Sequence, residues 1–120
     1  MFNDDNVVFK KTSDFAIRIV KLYKFLVSNG EEVMSKQILR SGTSIGANVS
    51  EAIYGQSELD FISKFSIALK ETSETQYWLY LLHKTEYISD EQYLSLKADC
   101  DEIIKILTAI VKITKAKQQS

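Results

Sequence analysis

The chain has 120 residues, of which 45% are apolar and 26% charged, with a formal net charge of −1. That balance belongs to a folded domain rather than a disordered polyelectrolyte, and a charge so near zero argues against nucleic-acid binding by bulk field. With no proline and only four glycines, the chain lacks the turn residues that a β fold needs.

Four helices are predicted in chain order. The first runs from about Lys11 to Ser28, with Phe15, Ile19, Leu22 and Leu26 as one apolar stripe and Ala16, Val20, Tyr23 and Val27 as the next. Asn29-Gly30 ends it, Gly30 suiting the left-handed position after a helix. The second opens after Ser35 as N-cap, with Met34 and Leu39 as a hydrophobic staple, and stops at Gly55. Ser57-Glu58-Leu59-Asp60 approximates a capping box for a third helix that continues to about Thr85. A clearer box, Ser89-Asp90-Glu91-Gln92, with Ile88 and Tyr93 as staple, opens the fourth. Its heptad is Tyr93, Leu96, Cys100, Ile103, Leu107, Ile110 and Thr114, and Lys115 to Ser120 is expected to fray.

Connections this short make successive helices antiparallel neighbours, so the expected fold is all-α, an up-down four-helix bundle. Residues 1–120 read as one domain. The apolar runs are too short for a membrane span, and the first residues have neither the basic flank nor the apolar core of a signal peptide. The lone Cys100 can form no internal disulfide. Together these make the cytoplasm the expected location.

The second helix carries an unusual segment, Leu39 to Ala52. Ile38, Gly42, Ile45, Val49 and Ala52 share one face at helical spacing. Glycine inside a helix costs about 0.5–1 kcal/mol relative to alanine, so two of them imply close approach of another chain segment. A polar line of Ser41, Ser44, Asn48 and Glu51 runs beside them. Arg40, Ser44, Asn48, Glu51 and Glu74 are expected to form a structural polar network inside the bundle. If Arg40 forms a buried pair with Glu51 or Glu74, removing it costs about 3–5 kcal/mol; the equal alternative is a place at an interface.

Three constellations bear on chemistry. The first helix bears Lys10, Lys11, Arg18, Lys21 and Lys24 against Asp14 alone; such a row can track a phosphate backbone, and it is the candidate nucleic-acid-binding face. Trp78, Tyr77 and Tyr80 offer rings that stack on bases, although at helical spacing aromatics more often serve a core or an interface. Glu51, Glu71 and Glu74 are the only carboxylates grouped in a way that would suit Mg²⁺; ordinary solvated Glu faces are the commoner reading, and no metal or other cofactor is expected. His83 is the only histidine and has no arginine upstream at ribonuclease spacing, so no catalytic residue is assigned and the chain is read as a non-enzyme. The first helix is also apolar over more of its circumference than a bundle member needs, with Ile17 and Phe25 on the charged side, which points to self-association.

Arg40, Ser44-Ile45, Ala47-Asn48 and Glu51-Ala52 follow a recognisable pattern, as do Asp60-Phe61-Ile62 through Ile67-Ala68 to Glu74, and Val7-Val8-Phe9-Lys10-Lys11 through Ala16 to Tyr23. The chain thereby resembles the bacterial four-helix-bundle family named for proteins encoded in intervening sequences of 23S ribosomal RNA. Gly46 stands where that family often has proline, and Ala52 where it often has glycine. The resemblance implies a homo-oligomer, a ring of five subunits as in relatives, and it implies nothing about a catalytic activity. It extends to the accessory protein of diversity-generating retroelements, a ring that binds nucleic acid. The function expected on these grounds is a non-enzymatic oligomeric protein that binds RNA, or a nucleoprotein, through the basic helix face. The alternatives are a protein-interaction scaffold without nucleic-acid affinity and a Mg²⁺-dependent carboxylate enzyme.

Overall fold

A computed structural model describes residues 6–55 and 57–119. It contains α1 (Val7–Ser28), α2 (Met34–Ile53), α3 (Glu58–Lys84) and α4 (Asp90–Gln119). Each helix packs on the next, and α4 returns to α1, with α2–α3 the most extensive pairing and α1–α4 the thinnest. No diagonal pair packs among the described residues, so the four helices stand at the corners of a square. The bundle measures 51 × 27 × 23 Å.

Each start has a physical cause. α1 begins at Val7, four residues before the predicted Lys11, because the Asn6 side chain accepts a 2.9 Å hydrogen bond from the Phe9 amide and so caps the helix. The predicted cap of α2 is displaced. Ser35 lies inside the helix, and the Glu31 carboxylate caps instead, accepting from the amides of Val33 (3.1 Å), Met34 (2.9 Å) and Ser35 (2.5 Å). A negative group on three free helix amides is stabilised by both the hydrogen bonds and the helix dipole. Ser57 caps α3 by accepting from the Asp60 amide at 3.1 Å. At α4 the capping box is reciprocal: the Gln92 amide donates to Ser89 Oγ at 3.1 Å, and the Ser89 amide to Gln92 Oε1 at 2.8 Å.

The helix ends repeat one device. After α1, Gly30 at φ 86° lets its amide reach the Val27 carbonyl while the Glu31 amide reaches that of Leu26. After α3, the same pair of bonds runs from Glu86 to His83 and from Tyr87 to Leu82, with Glu86 held at φ 68°. The fourth helix continues through Lys115 to Gln119, exposed over that last turn, and Ser120 lies outside the described residues.

The core follows the predicted stripes. Phe15, Ile19 and Leu26 of α1, Ile38, Ile45 and Val49 of α2, Phe65, Leu79 and Leu82 of α3, and Cys100, Ile103 and Leu107 of α4 are buried together. Beyond Leu107 the α4 stripe moves from Ile110 to Val111, as a helix of 3.6 residues per turn drifts off a seven-residue repeat. Where α1 meets α2, a Cβ on Gly42 would lie 2.8 Å from two atoms of Ile19, whereas one on Gly46 would lie 3.4 Å from the Thr12 carbonyl. Gly42 is therefore required by packing, and Gly46 is not.

Candidate functional site

The basic residues of α1 fall into two groups. Lys11 pairs with Glu102 at 2.7 Å, and Arg18 with Asp99 at 2.5 Å, while the second Arg18 nitrogen donates to Ser95 at 2.9 Å. Both therefore serve a charged seam between α1 and α4. The hydrogen bond to Glu102 and then its charge raise the Lys11 pKa. Lys10 pairs with Asp14 one turn along its own helix. Lys21 and Lys24 are exposed and have no ion-pair partner among the described residues. Of the five cations in the candidate basic face, Lys10, Lys11 and Arg18 are thus engaged by carboxylates. The same helix leaves Ile17 55%, Phe25 41% and Val27 37% exposed.

The predicted polar network is smaller and wetter than the spacing implies. Arg40 donates to Glu71 at 3.1 Å and to Glu74, and Trp78 Nε1 donates to Glu74 at 3.0 Å. The indole N–H first, and Arg40 after it, outweigh partial desolvation and hold the Glu74 carboxyl below the usual carboxylate range. The Arg40 side chain is 49% exposed, so this is a surface cluster rather than a buried pair. Ser44 and Asn48 do not join it through their side chains. Ser44 donates to the Arg40 carbonyl at 2.6 Å, and Asn48 to the Ser44 carbonyl at 2.8 Å, both back-bonding along α2. Glu51 is exposed and pairs with Lys64 at 3.0 Å. The buried polar bridge between α2 and α3 lies elsewhere: Thr75 donates to Ser41 at 2.9 Å. Its sequence signals are Ser41, on the polar line of α2, and Thr72 and Thr75, three apart on the buried arc of α3.

The carboxylates proposed for Mg²⁺ are already engaged by cations, Glu71 and Glu74 by Arg40 and Glu51 by Lys64. Among the described residues no three His, Cys, Asp or Glu side chains are grouped to hold a metal. His83 meets Asp90 at 2.5 Å and stacks on the Tyr93 ring at 4.4 Å, tying the end of α3 to the start of α4. Burial, reinforced by Asp99 and Asp101, pushes the Cys100 thiol up to about 12. It stays protonated and is a packing residue, not a nucleophile. No described helix is long and apolar enough to cross a membrane.

Comparison with known proteins fits this geometry. Residues 4–109 match the family described as 23S rRNA-intervening sequence protein. The chain belongs to that family. A crystal structure of a protein with unknown function from the S23 ribosomal protein family, from Bacteroides thetaiotaomicron, is similar at 61% identity, covering 92% of this chain and 99% of that one, with a TM-score of 0.88. No curated protein matches this chain. The segment that carried the 23S rRNA-intervening sequence resemblance is α2, whose Ile45 and Ala52 enter the core while Arg40 reaches across to α3. That segment packs α2 into the core and ties it to α3.

Proposed function

We propose that this 23S rRNA-intervening sequence family member is a non-catalytic binding protein that works by contact between protein surfaces, with self-association through the outer face of α1 as the first such contact. One observation carries this reading. Ile17 stands 55% exposed on the outer helix face that also bears Lys10 and Lys24. Exposed apolar side chains grouped with charges are the composition of an interface. A closed ring would bury such a face against a different face of the next copy and repeat the lysines around its circumference. Sedimentation velocity at micromolar concentration tests it. A species heavier than the 13.7 kDa chain is expected, and a monomer rejects self-association.

RNA binding is the second reading, and it rests on Lys21 and Lys24 having no acidic partner among the described residues. Phosphate contacts lose affinity steeply with salt. RNA titrated across salt, with the Lys21→Glu/Lys24→Glu double variant alongside, separates the two readings. Binding that falls with salt and is lost in the variant supports RNA, and its absence at low salt leaves the protein-contact reading.

A further inference from the structure

The seam between α1 and α4 is a ladder with one rung incomplete. Because the helices are antiparallel, moving along α1 from Lys11 to Arg18 moves along α4 from Glu102 to Asp99, and each cation meets a carboxylate. Beyond Arg18, Lys21 shares a cleft not with a carboxylate but with Gln92, a neutral amide whose carbonyl oxygen is already taken by the Ser89 amide. At this rung the helices also part around this cleft of about 360 Å³ lined by Arg18, Lys21, Leu22, Phe25, Gln92 and Leu96. Of its lining, Leu22 and Leu96 are 7% and 5% exposed and Phe25 41%. Arg18 is held in place by its bonds to Asp99 and Ser95, so one cation of the cleft is positioned in advance.

We propose that this cleft docks an acidic, leucine-bearing segment of a partner protein. An apolar side chain would rest on Leu22 and Leu96 against Phe25, and the carboxylate missing from the ladder would come from the partner and meet Lys21. The charge pattern favours a peptide over a nucleic acid. Asp14, Asp99 and Glu102 border the same seam, so a phosphate backbone continuing along α1 meets carboxylates. A peptide needs only one or two acids beside an apolar anchor. The proposal deepens the protein-contact reading of α1 and rests on it, but it concerns the α4 side of that helix, away from Ile17.

The test is fluorescence anisotropy with a short labelled peptide carrying two leucines one helical turn apart and glutamates beside them. Saturable binding is expected, weakened at least about tenfold when glutamine replaces glutamate in the peptide or in the Lys21→Glu protein. A peptide with lysine in place of glutamate should recover binding to Lys21→Glu, and Lys36→Glu, on the exposed surface of α2, should bind like the unaltered protein. Equal binding of the glutamine peptide, or unchanged binding by both Lys21→Glu and Phe25→Ser, would overturn the proposal. So would preferential binding of oligouridylate that Lys21→Glu abolishes. Failure of the peptide to bind, with Phe25→Ser dissolving an assembly seen by sedimentation, would overturn it in favour of a second copy as occupant. Loss of assembly in Ile17→Ser with peptide binding intact would separate self-association from the cleft.

Discussion

Gly42 and Gly46 lie one turn apart on α2, yet a methyl group at each meets different surroundings. At Gly42 it would press to 2.8 Å against the branched Ile19 side chain, which has little freedom to withdraw. Gly42→Ala is therefore expected to destabilise the bundle by about 1–2 kcal/mol, the overpacking cost exceeding the gain in helix propensity. At Gly46 the nearest atom, at 3.4 Å, is in ordinary contact, so Gly46→Ala should be neutral or stabilise by up to about 1 kcal/mol. Urea unfolding of the two variants checks the contrast. The sequence signalled unusual small residues here but could not distinguish these two, because the difference lies in where Ile19 and Thr12 fall on another helix. Glu31 was invisible for a related reason. Cap preferences point to Ser35, whereas the chain turns so that a carboxylate four residues earlier reaches three amides. Burial opposes the Glu31 charge, but those amides outweigh it and hold the carboxyl below its usual 4.5. A depressed pKa contributes stability that is present above the unfolded value and lost as pH falls through the folded one. Glu31→Gln should cost about 1 kcal/mol at neutral pH, with the difference from the unaltered protein shrinking as pH falls below 4.5, read from urea midpoints at neutral and acid pH.

The helix boundaries show which local signals survive assembly. The Ser89–Gln92 box and the Gly30 stop were legible because both arms of each device lie within a few residues. The stop after α3 was not, because Glu86 occupies the position that glycine fills after α1, at φ 68°. A side chain in the left-handed region costs about 1–2 kcal/mol. Glu86→Gly is expected to raise stability by about 1 kcal/mol once the greater freedom of glycine in the unfolded chain is subtracted, measured as a rise in the thermal midpoint. The polar line on α2 was legible as a line but not as a network, since back-bonding by Ser44 and Asn48 satisfies them within the helix. Arg40 does bridge to α3, but half its side chain is in water, so Arg40→Ala should cost about 0.5–1 kcal/mol rather than the larger penalty of a buried pair.

At the scale of the whole molecule, four helices are closed more firmly on three sides of the square than on the fourth. The thin α1–α4 seam carries Lys11–Glu102 and Arg18–Asp99, pairs exposed enough to be screened by salt. The apolar surface that α1 does not bury against α4 faces outward at Ile17, Phe25 and Val27. The over-wide apolar arc read from α1 therefore has a structural counterpart, since part of it is left uncovered by the chain's own helices. If a second copy covers it, the two kinds of contact respond to salt in opposite directions. Raising salt weakens the α1–α4 ion pairs but strengthens apolar association. Sedimentation velocity across a salt series should therefore show an assembly that persists or grows as salt rises, and that Ile17→Ser shifts toward the 13.7 kDa monomer. An assembly that dissolves in salt and ignores Ile17→Ser would instead be held by charges, and the outer face of α1 would not be the contact. The helical content of Ile17→Ser by circular dichroism should match that of the unaltered protein, because Ile17 is 55% exposed and contributes little to the core.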